Sequence, residues 1–186
     1  MSKKISVISC SLNPQNRSYV LARTAVSYLR EAGAETDLHD LRNHGIEFCG
    51  IPSARESISE FKIAIEQSVA ILLPVPICKF DVIAAAKNLI ELTVRSWTIK
   101  VVGFLCAAGG NASYMSVMRI ANSLMLDFRC LIIPRFVYAV SDDFANARTD
   151  RMEAGSDEIR QRLSGLAHVT VELDRAAGSL LGRLPQ

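Results

Sequence analysis

The sequence predicts an α/β protein in which five parallel strands form one doubly wound sheet with helices on both faces. Short apolar runs alternate with amphipathic helical patterns along the chain, and alternation of this kind is typical of a parallel sheet. Several runs are continuously apolar, as strands buried on both faces are. No repeat, linker or low-complexity stretch interrupts the pattern, so we expect a single domain over residues 1–186.

The first half of the chain alternates strand, helix, strand and helix. Residues 5–9 form a short apolar run, and the helical pattern over residues 18–32 ends at Gly33, a typical C-cap residue. Residues 35–39 alternate weakly, which predicts an edge strand. An irregular loop then leads to a helix over residues 53–68. The side chains predicted to face the core are Leu21, Ala25, Leu29, Ile58, Phe61 and Ile65.

The second half continues the alternation. Residues 69–74 are continuously apolar and end in prolines, which predicts a central strand. A helix is predicted over residues 81–94 with Asp81 as its N-cap. The remaining elements are a strand over 100–106, a helix over 112–126, a strand over 130–133 and a last helix marked by Ile159, Leu163 and Leu166. The helix over 81–94 carries the apolar stripe Ile83, Ala86, Ile90 and Val94.

Composition argues against several classes of partner. The net charge of +2 and the scattered basic residues do not favour nucleic acid or an anionic membrane surface. The longest apolar run, residues 69–78, contains two prolines and is far shorter than the ~20 residues that span a bilayer. No signal peptide is indicated. Five separated cysteines without a CxxC pair are typical of free thiols in the cytoplasm, and no metal-ligand spacing is present.

The loop after the first strand is rich in groups that can hold an anion. Hydroxyl, amide and guanidinium side chains lie at the positive end of a helix dipole, where backbone N–H groups lack partners. The loop lacks glycine, so it is neither a P-loop nor a dinucleotide fingerprint, and a flavin mononucleotide (FMN) phosphate is the favoured ligand. A simple capped turn explains the same residues. The candidate phosphate ligands are Ser11, Asn13, Asn16, Arg17 and Ser18.

Two further loops are predicted at the same edge of the sheet, beyond the carboxyl ends of the strands, where ligands of such sheets bind. After the third strand, two prolines predict an extended rim whose free amides and apolar wall suit an isoalloxazine ring. After the fourth, paired glycines permit positive φ and close approach to a flat ligand. A proline-ended strand and a plain turn are the competing interpretations. The candidate residues are Pro76, Ile77, Cys78, Lys79, Phe80, Gly109, Gly110, Asn111 and Ser113.

Three segments match the motifs of one family. Residues 10–18, Cys-Ser-Leu-Asn-Pro-Gln-Asn-Arg-Ser, are similar to its opening Gly-Ser-Leu-Arg-x-x-Ser-x-Ser. Residues 76–81 and 86–91, Pro-Ile-Cys-Lys-Phe-Asp and Ala-Lys-Asn-Leu-Ile-Glu, correspond to its middle motif, in which a tyrosine stands in place of Cys78. Residues 108–113 carry its Gly-Gly motif. From about residue 4 to residue 139 the chain resembles the NADPH-dependent FMN reductases, in particular the alkanesulfonate-utilisation type.

The resemblance implies a flavodoxin-like sheet with strand order 2-1-3-4-5 and hydride transfer from NADPH or NADH to FMN. No side chain is expected to act as acid or base, because the flavin carries the redox chemistry. Arg17 or Lys79 is a candidate contact for the 2′-phosphate of NADPH. The resemblance assigns the FMN phosphate to Ser11, Asn16, Arg17 and Ser18, and the pyrimidine side of the ring to Gly109 and Gly110.

The resemblance also implies partners. We expect a homodimer or homotetramer with residues 81–94 at its interface, and a flavin-dependent monooxygenase that receives reduced flavin. Two alternatives stay open at the level of sequence: an FMN-containing quinone or azo reductase, and a non-catalytic flavin-binding or electron-carrier protein. True electron carriers of this fold are typically acidic, and a chain with a net charge of +2 is not.

Overall fold

The computed structural model describes residues 4–180. Its sheet is built from the parallel strands β1 (Ile5–Ser9), β2 (Thr36–Asp40), β3 (Ala70–Cys78), β5 (Val101–Ala107) and β6 (Leu131–Ile132), to which the short strands β4 (Asp81–Val82) and β7 (Val137–Ala139) are added. The path is β2-β1-β3-β5-β6; β4 pairs antiparallel with β3, and β7 pairs parallel with β5. The predicted parallel sheet is confirmed. Its strand order differs from 2-1-3-4-5 only because the short strand β4 is counted, which raises the numbers of the strands after it by one.

Helices cover both faces of the sheet. They are α1 (Arg17–Glu31), α2 (Ala54–Ser57), α3 (Ser59–Gln67), α4 (Ala84–Thr93), α5 (Met118–Phe128) and α6 (Asp157–Leu180). Helices α1 and α6 share one apolar core with the sheet, and α2 to α5 share the other. A second hairpin, β8 (Phe144–Ala145) with β9 (Glu153–Ala154), precedes α6 and was not predicted.

The predicted core faces of the first helices are confirmed. Each of their six side chains is at most 1% exposed, and burial of one large apolar side chain contributes about 1.5–3 kcal/mol. The predicted helix over residues 53–68 is broken at Ile58, whose φ of −109° and ψ of 3° are not helical. Helix α1 ends as predicted: Gly33 follows it with a φ of +85°, a conformation that glycine adopts at no steric cost.

The sequence predicted that β3 ends at its prolines, but the strand continues through them. The carbonyl of Pro74 accepts a hydrogen bond from the amide of Cys10 (3.0 Å), and that of Pro76 accepts one from Ile83 (3.2 Å). The N–H and C=O of one strand residue point to the same side, so both missing N–H groups face away from β5. The register between β3 and β5 therefore continues from Ala70 to Pro76 without interruption.

The predicted helix over residues 81–94 starts three residues late. Asp81 lies in β4 and does not cap the helix, because residues 77–82 form a hairpin and α4 begins only at Ala84. Of its predicted stripe, Ala86 and Ile90 are buried, whereas Val94 lies beyond the helix end and is 46% exposed.

Two other elements differ in form from the prediction. The helix expected over residues 112–126 begins as a 3-10 segment, Asn111–Val117, and becomes α-helical at Met118. The strand predicted over residues 130–133 is β6, and β7 beyond it was not predicted; the two are separate because Pro134 has no N–H for the ladder and Arg135 adopts a φ of +59°. The last helix is confirmed as α6, with Ile159, Leu163 and Leu166 buried.

Candidate functional site

The first loop, residues 10–16, leads from β1 into α1 and is closed by its own side chains. Asn16 is the N-cap of α1: its Oδ1 accepts hydrogen bonds from the amide of Tyr19 (2.5 Å) and from the hydroxyl of Ser18 (3.0 Å). Ser18 is fully buried and Asn16 is 8% exposed. These two predicted ligands therefore fix the start of the helix, as N-cap chemistry requires.

The rest of the first loop is held in the same way. The hydroxyl of buried Ser11 accepts from the amide of Asn13 (3.2 Å), and Asn13 Oδ1 accepts from Gln15 (3.0 Å). The side-chain amide of Asn16 donates to the carbonyl of Asn13 (2.8 Å). By helix geometry the amides of Arg17 and Ser18 have no acceptor within α1, so a rigid loop presents them at its start.

Arg17 joins the first loop to the end of β5. Its Nη1 donates to the carbonyl of Ala108 (3.0 Å) and to the hydroxyl of Ser141 (2.7 Å). Its guanidinium lies 5.9 Å from the ring centroid of Phe144. The predicted phosphate ligand is therefore also the link between two loops that lie far apart in sequence.

Cys10 stands where the similar family has glycine, and its side chain points into the core. It is fully buried, and its Sγ donates to the carbonyl of Ile8 (3.4 Å). Burial, with a smaller contribution from Asp40, raises the pKa of this thiol far above its ordinary value. The Cys10 thiol is therefore a neutral core group that leaves the loop surface unchanged.

The second loop is a hairpin. Ile77 pairs with Val82, and Cys78 pairs with Asp81 across the two turn residues Lys79 and Phe80, which both have positive φ (54° and 60°). Two consecutive positive φ values define a type I′ turn, in which asparagine and glycine are the favoured residues. The predicted open rim of four amides is therefore wrong: only the hairpin tip, Lys79 and Phe80, lies outside the strand pairing.

The hairpin tip is exposed and is anchored from one side. The Phe80 ring is 68% exposed, and the Cys78 thiol is exposed as well. Asp81, the expected helix cap, instead accepts a hydrogen bond from Arg119 of α5 (2.6 Å). Strand β4 also packs against the 3-10 segment that follows β5. The second and third loops are therefore neighbours.

The third loop, residues 108–113, follows β5 and contains two adjacent glycines, a residue type that permits positive φ. Neither glycine uses this freedom here: Gly110 is extended (φ −168°), and the positive φ values among the described glycines belong to Gly33 and Gly50. A Cβ added at Gly109 or Gly110 would meet no atom within 4 Å. The backbone does not require these glycines, and open space lies in front of both.

The third loop is supported by two residues that the sequence did not point to. The hydroxyl of Tyr138, on β7, donates to the carbonyl of Gly110 (2.8 Å) and lies 2.7 Å from the hydroxyl of Ser113. The hydroxyl of Ser141 donates to the carbonyl of Gly109 (3.3 Å). Both residues lie more than twenty positions after the loop, so no local pattern in the sequence connects them with it.

Asn88, a residue of the family-like middle motif, has a structural role. Its side-chain amide donates to the carbonyl of Glu47 (2.9 Å) and its Oδ1 accepts from the amide of Cys49 (2.8 Å). It therefore holds the loop after β2 against α4. The neighbouring Lys87 forms a surface ion pair with Glu91 (3.1 Å).

The candidate site is thus one edge of the sheet at which three separate loops are tied together. Arg17 joins the first loop to the third, Arg119 joins the hairpin to α5, and Tyr138 supports the third loop. A cavity of about 690 Å³ between α3 and the 3-10 turn after α4 contains none of these residues; it lies at the amino end of β5. Parallel sheets bind ligands at the other end, so the edge with the loops is the better candidate.

Within residues 4–180, no group of histidine, cysteine, aspartate and glutamate side chains has a geometry that holds a metal ion. In the same part of the chain, no helix has the length and hydropathy needed to cross a membrane.

Comparison with known proteins gives concordant results. The model of the family described as NADPH-dependent FMN reductase matches residues 3–145. An NAD(P)H-dependent FAD/FMN reductase of Geobacillus thermodenitrificans is 27% identical over 143 residues, which are 75% of each chain. The flavoenzyme NAD(P)H:(acceptor) oxidoreductase FerB of Paracoccus denitrificans has the same fold, with a TM-score of 0.75 at 18% identity over 94% of this chain and 98% of its own. An NADH:FMN oxidoreductase gives 0.70 at 14% identity over 90% of each chain.

Proposed function

The chain belongs to the family of NADPH-dependent FMN reductases, and on this premise we propose that it transfers hydride from NADPH or NADH to FMN and supplies reduced flavin. The observation that carries the proposal is the assembly of three separate loops at the carboxyl edge of the sheet by Arg17, Arg119 and Tyr138. This edge is where ligands bind in doubly wound sheets.

We assign the FMN phosphate to the first loop. The first-turn amides of Arg17 and Ser18 offer hydrogen-bond donors at the positive end of α1, and no acidic residue occupies that first turn. A cation such as Arg17 at this end of a helix is unfavourable without an anion nearby, which supports the assignment. The side chains of Ser11, Asn13, Asn16 and Ser18 position these donors.

We assign the isoalloxazine ring to the space between the hairpin tip and the third loop. The tip residues Lys79 and Phe80 carry amides outside the strand ladder, and Pro76, Ile77 and Cys78 support them. Opposite, the open space in front of Gly109 and Gly110 lets a flat ring approach the backbone closely. Asn111 and Ser113 continue this wall into the 3-10 segment. The residues present therefore fit a flavin.

When bound, FMN supplies the redox chemistry, as cofactors of this kind do. The chain binds and orients it. The amides of Lys79 and Phe80 are donors fixed in advance, so they would stabilise negative charge on the polar edge of a bound ring without further reorganisation. The exposed ring of Phe80 offers an apolar surface that excludes water from one side.

A second candidate reaction is the reduction of a quinone or azo compound by bound FMN. The 68% exposure of Phe80 favours it, since this ring offers a stacking surface for a planar acceptor. Turnover with free FMN as substrate, compared with turnover of a quinone, separates the two reactions.

We also propose a homodimer or homotetramer and a flavin-dependent monooxygenase as the acceptor of reduced flavin. Helix α4 supports the former, because Ala84 is exposed at its start and permits close packing of a second helix. A cytoplasmic location fits the free thiols of Cys49 and Cys78, which are exposed. Sedimentation velocity of the purified protein tests the oligomeric state.

The decisive experiment is anaerobic. Purified protein is mixed with FMN and excess NADPH, and the absorbance band of the oxidised flavin is followed; rapid protein-dependent bleaching is expected. Failure with both NADPH and NADH would contradict reductase activity and favour a carrier or a flavin-binding protein. We expect Arg17→Gln to weaken FMN binding at least about tenfold, whereas Arg23→Gln, on the same helix, is the matched control with no effect.

A further inference from the structure

The second hairpin brings an arginine to the first loop from outside the region that the family model matches. Arg148 lies in the turn between β8 and β9, and the match ends at residue 145. Together with Asn13, Gln15, Arg17 and Met152 it lines a cavity of about 260 Å³. Since one water molecule occupies about 30 Å³ of liquid, the cavity has room for a group much larger than water.

The charges around this cavity are of one sign. Its described lining contains two guanidinium groups and no carboxylate. Elsewhere Arg42 and Arg119 are paired with aspartates, but within residues 4–180 neither Arg17 nor Arg148 forms an ion pair. Two cations that share a small cavity repel each other, and an anion between them removes that cost.

The turn that carries Arg148 is held by its own hydrogen bonds. The amide and the hydroxyl of Thr149 both donate to the carbonyl of Asn146 (3.2 and 2.7 Å), and the amide of Arg151 donates to the hydroxyl of Thr149 (3.2 Å). Arg148 itself has a φ of +65°, a conformation that is uncommon for a residue other than glycine. Asn146, in the same turn, has a φ of +52°, and of these two residues Arg148 is the one that lines the cavity.

The hairpin is also fixed to the rest of the molecule. A Cβ at Gly155 would stand 2.8 Å from the amide nitrogen of Ala145, so only glycine permits this close approach of the two strands. The same segment carries Ser141 and Phe144, which contact the guanidinium of Arg17. Arg17 and Arg148 are therefore held by one structural unit.

We propose that Arg148 completes a site for a phosphate monoester between the first loop and the second hairpin. The inference rests on the proposed function, because the 5′-phosphate of FMN and the 2′-phosphate of NADPH both have this chemistry. Arginine is suited to it, since its planar donors match two phosphate oxygens at once. The side-chain amides of Asn13 and Gln15 add neutral donors to the same cavity.

The test compares ligands with and without the phosphate. Dissociation constants of FMN and riboflavin, from flavin fluorescence, and KM values for NADPH and NADH are measured for the wild type and Arg148→Gln. We expect either about tenfold weaker FMN binding with riboflavin unchanged, or a comparable rise in KM for NADPH with NADH unchanged. The first result identifies the flavin phosphate and the second the nicotinamide phosphate.

The matched control is Arg151→Gln, which removes an exposed arginine from the same turn outside the cavity, and Arg148→Lys is expected to retain part of the affinity. The proposal is overturned if Arg148→Gln preserves both the FMN-to-riboflavin ratio and the NADPH-to-NADH ratio, or if Arg151→Gln reproduces its effect. In both cases a wild type that reduces flavin leaves the proposed function intact. A wild type that neither binds nor reduces flavin would instead contradict that function.

Discussion

At the scale of single residues, one hydroxyl supports the third loop. Tyr138 is only 5% exposed, so its ring is fixed by the core while its oxygen reaches both Gly110 and Ser113. A hydrogen bond of this kind contributes about 0.5–1.5 kcal/mol, and leaving a buried partner unsatisfied costs more. The loop proposed to meet the flavin thus depends on a side chain from another strand.

Removal of that hydroxyl is expected to loosen the loop. Tyr138→Phe should lower the free energy of unfolding by about 1–2 kcal/mol and weaken FMN binding several-fold, because Gly110 and Ser113 lose a shared partner. Urea unfolding and flavin fluorescence measure the two effects. Tyr28→Phe, on the opposite face of the sheet, serves as control. Unchanged FMN affinity in Tyr138→Phe would separate the third loop from the flavin.

The five cysteines are expected to differ in reactivity. Cys49 and Cys78 are exposed, whereas Cys10, Cys106 and Cys130 are buried and remain protonated because burial raises the pKa of each thiol. A maleimide should modify two thiols in the native protein and all five after denaturation. Bound FMN should slow modification of Cys78, as mass spectrometry of the labelled peptides would show. An unchanged rate at Cys78 would contradict the assignment of the ring to the hairpin tip.

At the scale of elements, the β3–β4 hairpin is the segment whose observed structure differs most from the one predicted from the sequence. Asp81 precedes a helical stripe, as an N-cap does, and the tip sequence Lys-Phe has neither glycine nor asparagine to indicate a type I′ turn. Strand pairing and the contact of Asp81 with Arg119 outweigh these local preferences. Two strained residues at a proposed binding edge agree with the tendency of strain to collect at functional sites.

Relief of this strain is expected to stabilise the protein. Lys79→Asn places a residue that tolerates positive φ at the tip and should raise the free energy of unfolding by about 0.5–1 kcal/mol. Lys87→Asn, in the middle of helix α4, should instead lower it, because asparagine is a poorer helix former than lysine. Urea unfolding of both variants provides the comparison. Equal destabilisation by the two changes would argue against the strained turn.

At the scale of the whole molecule, periodicity in the sequence was enough to predict the layers of the fold but not the contacts between its loops. Apolar spacing predicted the buried faces of α1 and α3, and Gly33 marked a helix end correctly. The predicted alternation of strands and helices also indicated which three loops the fold brings together. The links between them could not be predicted, because Arg17 to Ser141 and Tyr138 to Ser113 join distant segments by single hydrogen bonds.

Buried thiols also make the stability of the whole fold depend on pH. Burial raises the pKa of Cys130 to about 11 and that of Cys106 to about 12, from an ordinary value of 9.0. Just above pH 9, therefore, only the unfolded chain loses these protons. The free energy of unfolding is highest below that pH and declines as the pH rises toward the folded-state pKa values. The decline is at most about 1.4 kcal/mol per pH unit for each thiol.

Urea unfolding at about pH 8 and about pH 10 tests this dependence. The decline should be smaller in Cys106→Ala, which lacks one of the buried thiols, than in the wild type. Cys49→Ser removes an exposed thiol and should leave the decline as it is. The same slope in all three proteins would assign the pH dependence to other groups.

The pairing of α1 with α6 has a consequence for synthesis on the ribosome. The two helices pack on each other and share one core, yet α1 is the first and α6 the last of the described helices to be synthesised. At about 5–20 residues per second, the face of α1 that packs on α6 waits several seconds in the nascent chain before that helix emerges. Chains stalled before Asp157 therefore expose this face, which makes them targets for chaperones and proteases.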